Sequence, residues 1–255
     1  MQPAFNRNRF GLAIFADSTA CMVAAGLHYM FSIGNQEPLV AAPLADKGAR
    51  GWIGAWEQTN FRWQLGLGLL LGICLAFGMP HYFAFIEARH GLVLADPLLA
   101  RLPAFDTSWI TFTIIYFSIL VAMIHLGRRP LAFVQVLWSY CIMHLIRICT
   151  LWLAPLDPPI GLVLLHDPIV DTLFYPTNPI TKDLFFSGHT ATLMLLSLGV
   201  QRGWLRRMLL IATATVGFLV LVQHAHYTSD VLAAPVFAGL SFWLAGKLLE
   251  KSYAA

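Results

Sequence analysis

Residues 63–85 contain no Asp, Glu, Lys or Arg. About 20 apolar residues is the length at which a helix crosses the hydrocarbon core of a bilayer. In that medium every backbone polar group needs a partner within the segment, which a helix supplies. The pattern recurs at 108–126, at 131–153 with Arg147 inside, at 184–200, at 208–223, and at 226–246 with Asp230 near its start. The expected fold is therefore all-α, a polytopic membrane protein with about six transmembrane helices in a domain over 51–255. Composition agrees: 58% of the chain is hydrophobic and 11% charged, against roughly 45–50% and about 25% for soluble domains. That excludes an ordinary soluble domain, a disordered chain and a disulfide scaffold. The net charge of +3 is scattered, not gathered in a stripe, so no nucleic-acid partner is expected. Cys21, Cys74, Cys141 and Cys149 lie in apolar stretches without CxxC spacing and read as packing residues.

Residues 1–50 form a separate N-terminal segment. Its 10–33 stretch is apolar on average but interrupted by Asp17, Ser18, Thr19 and His28. An amphipathic membrane-surface segment is the preferred reading, with a seventh span as the alternative. No small-residue cleavage site follows a compact apolar core, so a signal peptide is not expected. Residues 41–50 read as a linker.

Lys and Arg counted by loop give the orientation. Lys47, Arg50, Arg62, Arg128, Arg129, Arg202, Arg206, Arg207, Lys247 and Lys251 fall on one side of six spans; Arg89, Arg101 and Lys182 fall on the other. The expectation is an integral membrane protein with both ends of its core in the cytoplasm. The long connections, 87–106 and the proline-rich 154–183, then lie on the non-cytoplasmic face. Six prolines in the second suit a stiff, shaped cap.

Ionisable residues within spans are costly and mark function by default. The topology brings three such clusters to the non-cytoplasmic face: Arg147 and Thr150 near the outer end of the third span, Lys182, Asp183, Ser187, Gly188 and His189 at the start of the fourth, and His226 and Asp230 at the start of the sixth. His226 and Asp230 share a helix face at i, i+4, so the carboxylate can orient the imidazole. His189 follows Ser187-Gly188 at a helix start, where backbone N–H groups favour an anion. Arg147 and Lys182 add positive charge, so a phosphate group is the expected ligand, bound by Arg147, Lys182, Ser187 and Gly188. Two histidines flanking phosphorus supply a nucleophile and a general acid. His28, His81, His125 and His144 read as packing residues. His224 with His226 and Asp230 is an alternative metal set, but no helical HxxxH or Cys/His spacing supports it, and neither metal nor cofactor is expected.

The sequence Asp183-Leu184-Phe185-Phe186-Ser187-Gly188-His189-Thr190 and the sequence His226-Tyr227-Thr228-Ser229-Asp230-Val231 resemble the two catalytic motifs of sphingomyelin synthases, a branch of the type-2 phosphatidic acid phosphatase superfamily. Residues 140–158, with Arg147, Thr150 and Pro155, are similar to a third synthase motif, and residues 102–106 to the proline-containing first. The resemblance covers roughly 60–247. It implies a six-helix membrane enzyme with a His-His-Asp triad of His189, His226 and Asp230. In that family the last-motif histidine attacks a phospholipid phosphodiester and displaces diacylglycerol, and a lipid alcohol takes the head group from a phospho-histidine. Tyr140, Thr150, Asp183, Tyr227 and Glu87 are expected to support this set.

The chain departs from the phosphatase branch: it has no Lys-to-Arg-Pro motif, Leu219, Val220 and Leu221 stand where a Ser-Arg pair is usual, and Phe186 replaces proline before Ser187. A phosphomonoester dianion needs more positive charge than a diester, which favours a diester. The expected function is a head-group phosphotransferase whose partners are a phospholipid donor and a lipid alcohol acceptor. The alternatives are a lipid phosphate phosphatase or phospholipase-C-like hydrolase, and a non-catalytic lipid-binding module.

Overall fold

A computed structural model describes residues 51–168 and 180–254. The expectations for residues 1–50, and for the part of the proline-rich loop at 169–179, lie outside the described residues. Among the described residues the fold is all-helical: α1 (Trp52–Glu57), α2 (Thr59–Glu87), a single 3-10 turn (Leu99–Arg101), α3 (Ser108–Leu126), α4 (Pro130–Leu153), α5 (Gly188–Gly199), α6 (Gly203–Val222) and α7 (Thr228–Ala254). Five of these, α2, α3, α4, α6 and α7, are long and apolar enough to cross a bilayer. This is the architecture of an integral, multi-pass membrane protein.

The fourth apolar stretch, 184–200, departs from expectation. Only 12 residues of it are helical, a rise of about 18 Å against a hydrocarbon thickness of about 30 Å. Its first residues bend at Phe185 and Phe186, Ser187 caps the helix, and the helix stops after Gly199. Every α5 residue but His189 and Thr192 is buried, and α5 packs against α3, α4, α6 and α7. An unbroken apolar run describes a helix enclosed by protein as well as one enclosed by lipid; here the enclosing medium is protein. Phe186, just before it, lies flat on Phe237 of α7, with ring centroids 4.5 Å apart.

The outer helices keep large apolar side chains on the surface, Trp63, Leu70, Ile73 and Phe77 on α2 among them. Cys141 is buried, whereas Cys74 and Cys149 are exposed on that lipid-type surface. At one end of the bundle, Trp52 donates to the Gly127 carbonyl at 2.6 Å, Asn60 to the Ser252 carbonyl at 2.8 Å, and Arg129 to Gln201. The basic loops are thereby gathered together, at the end of the bundle away from His189 and His226.

At the other end two connections dock on the turn that precedes α7. Leu92 and Leu156 form a parallel bridge. The Tyr227 hydroxyl donates to the Asp157 carbonyl at 2.8 Å and accepts from Leu94 N at 3.2 Å. The Gln223 amide donates to Ser108 and to the Leu164 carbonyl, both at 2.8 Å. Asp96 caps α7 from a distant loop, taking Thr228 N at 2.7 Å and the Thr228 hydroxyl at 3.0 Å. Burial raises the Asp96 carboxyl, but the donors from Thr228, Leu99 and Leu98 outweigh it and hold it below the usual carboxylate range. A carboxyl lowered on folding contributes stability above its unfolded value, and the contribution is lost as pH falls through the folded one. Asp96→Ala is expected to cost about 1 kcal/mol at neutral pH and less as pH falls below the usual carboxylate range; thermal unfolding at neutral and at acid pH checks this.

Candidate active site

The cavity that matters lies between α2, α3 and α4, below the docked connections. It encloses about 320 Å³ and is walled on one side by apolar residues of α2 such as Leu75, Met79 and Phe83. Arg147, Asp183, His189 and His226 line it as well, with the Arg147 guanidinium over the Phe83 ring at 5.8 Å. Residues up to 79 positions apart in the chain thus meet on one surface.

Local structure explains how. The Ser187 hydroxyl accepts from Thr190 N and from the Thr190 hydroxyl, the latter at 3.2 Å, so α5 starts there and His189 sits in its first turn. Ser187 N donates to the Asp230 carbonyl at 3.1 Å, which joins the two histidine-bearing segments directly. The His189 and His226 rings stand 6.0 Å apart at 66°. Phe112 of α3 meets the His189 ring edge-on at 5.7 Å.

Asp230 is fully buried. Its Oδ2 accepts from Tyr227 N at 3.1 Å and faces His226 Nδ1 at 3.5 Å, while Oδ1 accepts from the Ser229 hydroxyl at 3.2 Å. A 3.5 Å separation is longer than a formed N–H···O bond, and catalytic pairs of this kind tighten once charge develops. With Nδ1 turned to the carboxylate, Nε2 is the nitrogen left to act.

Arg147 forms an ion pair with Asp183. It lies against the start of α5, where a β-carbon on residue 188 would collide with its guanidinium; glycine is the residue that permits the approach. A guanidinium and a helix N-terminus side by side both attract an anion. Among the described residues, Arg147 Nε, Asp183 Oδ1 and His189 Nδ1 are buried without a hydrogen-bond partner. Such atoms, with His226 Nδ1 also buried and lacking a formed bond, mark the place where a polar ligand completes the set.

Other expected residues are engaged elsewhere. Lys182 does not line the cavity: its ammonium pairs with Asp157 at 2.9 Å and donates to the Arg89 carbonyl, holding the Asp157 carboxyl below its ordinary range. The fully buried Ser187 hydroxyl serves as the helix cap described above. Both residues, expected to bind phosphate, thus make contacts within the protein in this structure. Glu87 accepts from Thr181 N and Lys182 N, each at 3.1 Å, and so holds the segment carrying Asp183. The Thr150 hydroxyl returns to the Arg147 carbonyl at 3.1 Å, and Tyr227 fastens the loops. Tyr140 does face the cavity.

The structure adds residues the sequence reading missed. His144, expected to pack, lines the cavity, as do Asp167 and Thr181. The signal for His144 was its i−3 spacing from Arg147, which puts both on one face of α4. His224 turns away from the site, its ring nitrogens each 3.0 Å from a carbonyl, Ile160 and Leu102. Among the described residues no group of three metal-ligating side chains forms.

Comparison with curated proteins and with solved structures gives no match. Residues 182–247, which hold His189, His226 and Asp230, match the family model described as PAP2 superfamily C-terminal. The match spans about a quarter of the chain and makes that stretch similar to the C-terminal part of the PAP2 superfamily.

Proposed function

We propose that the protein is a phospholipid head-group phosphotransferase working through a phospho-histidine. The observation that carries this reading is the pair of histidine rings 6.0 Å apart on one cavity wall, with Asp230 behind His226. His226 Nε2 attacks phosphorus, and the bond from phosphorus to the diacylglycerol oxygen breaks. That oxygen takes a proton from His189. Asp230 stabilises the positive charge that develops on His226. A lipid alcohol then gives its proton to His189, attacks phosphorus, and releases His226. Arg147 offers donors to the non-bridging oxygens throughout.

The test uses purified protein in mixed micelles with a phospholipid labelled in its head group. Diacylglycerol release that requires an added lipid alcohol supports the transferase. Release at the same rate without one overturns it in favour of a hydrolase, and no release with any phosphate ester overturns enzymatic chemistry at this site.

The site is proposed to face the non-cytoplasmic side, because the basic loops sit at the other end of the bundle. In a background lacking the native cysteines, Ala95→Cys is expected to react with an impermeant thiol reagent in intact cells. Arg128→Cys is expected to react only after permeabilisation. The reverse pattern would put the site in the cytoplasm.

A further inference from the structure

At the end of the bundle opposite the cavity, two tight turns meet. One joins α3 to α4 through Gly127, Arg128 and Arg129, and the other joins α5 to α6 through Val200, Gln201 and Arg202. The Arg129 guanidinium donates to the Gln201 side chain and ties them together. His125, in the last turn of α3, stands within electrostatic reach of Arg129, Arg202 and Arg128 and of no carboxylate, and its Nε2 is buried without a hydrogen-bond partner. Arg128, Arg129 and Arg202 are exposed, and among the described residues none of them forms an ion pair. Glu250, at the same end, pairs instead with Lys247 at 2.9 Å. α6 begins here with no side-chain cap and no acidic residue in its first turn, so its leading N–H groups add to the same positive field. Three guanidiniums held together without a counter-charge repel one another, and an anion between them reverses that balance.

Two observations make the anion a lipid rather than a solute. The Arg202 guanidinium lies over the Trp204 ring at 5.6 Å, and that ring is exposed; a tryptophan at the end of an apolar span marks the level of the head groups. α3 and α6 pack on each other, and both carry exposed apolar side chains leading away from the arginines, Leu120 and Ile124 on α3 and Ile211 and Phe218 on α6. A phosphate at the arginines therefore has an apolar surface beside it for its acyl chains. We propose that Arg128, Arg129 and Arg202 form a binding site for the phosphate of an anionic phosphoglyceride whose chains lie along α3 and α6. A zwitterionic lipid brings a cation of its own to the cluster and binds it less well. The site lies at the opposite end of the bundle from His226 and stands apart from the chemistry proposed there.

The test uses full-length protein, purified in detergent, stripped of lipid, and titrated with phosphatidylglycerol or with phosphatidylcholine of the same chains. Native mass spectrometry counts the lipid-bound species. The wild type is expected to favour phosphatidylglycerol about tenfold, the weight of one or two arginines at a membrane surface. Arg128→Gln combined with Arg202→Gln should bring the ratio to about one. Arg62→Gln combined with Lys251→Gln removes the same charge from the same end of the bundle, on α2 and α7, and should leave the ratio unchanged. Phosphatidylglycerol brominated on its chains should quench a share of the wild-type tryptophan fluorescence that the Trp204→Phe protein lacks, and more strongly than brominated phosphatidylcholine does. This measurement stands even if the double arginine variant fails to fold. Equal binding of the two lipids by the wild type, equal quenching by the two brominated lipids, or an equal fall in both double variants would overturn the inference. Displacement of the lipid by glycerophosphoglycerol, which has the phosphate and no chains, at a concentration similar to that of the lipid would overturn the lipid as occupant in favour of a soluble anion.

Discussion

His226→Ala is expected to abolish head-group transfer and to form no phospho-protein, whereas His189→Ala loses about 100- to 10,000-fold, the range for a positioned acid or base. The asymmetry comes from Asp230. His226 has a fully buried carboxylate 3.5 Å from Nδ1, which orients the ring and stabilises the charge formed when Nε2 attacks. His189 has no such partner; its Nδ1 is buried without one among the described residues, and Phe112 only packs on its edge. A donor whose leaving group needs no protonation should therefore still label the His189→Ala protein on His226. Transfer of phosphorus label from the lipid, followed by mapping of the labelled peptide, checks both variants. Label on His189, or on neither histidine during turnover, would contradict the assignment.

Arg147→Leu is expected to reduce activity below detection and to destabilise the protein by about 3 kcal/mol. Removing one partner of a buried ion pair leaves the other charge uncompensated, and the Asp183 side chain is only 23% exposed. Two further variants separate structure from chemistry. Arg147→Leu combined with Asp183→Asn should regain most of the lost stability and none of the activity, because no buried charge is then stranded but the phosphate still lacks its cation. Arg147→Lys keeps a charge and loses the fork of five donors, so activity should fall with little change in unfolding temperature. Retained turnover in Arg147→Leu would mean that the residue only packs against Phe83 and pairs with Asp183.

The helical, membrane-spanning class of this chain was legible from hydropathy alone, because a bilayer imposes a length and forbids charge. So was the convergence of Arg147, His189, His226 and Asp230, because an alternating set of spans sends them all to one end of the bundle. What hydropathy does not carry is the medium around each apolar run. Residues 184–200 satisfy the pattern of a span, yet they form a helix of 12 residues enclosed by four others. A leucine reads the same against a lipid tail as against Met194.

The polar residues divide along the same line. Spacing along α4 determined that His144 and Arg147 share a face, since 3.6 residues per turn fixes such neighbours locally, whereas His226, expected on one helix with Asp230, lies in the turn before α7 and meets the Asp230 carboxylate from there. Which polar atoms remain available was decided by contacts between distant segments: Lys182 by Asp157 and Arg89, Ser187 by its own helix cap, and His224 by two loop carbonyls. Sequence thus determined the chemistry present at this end of the bundle. Tertiary structure alone decided which groups face the cavity, because each buried polar atom needs a partner, and only folding shows which partners the protein supplies and which it leaves for a ligand.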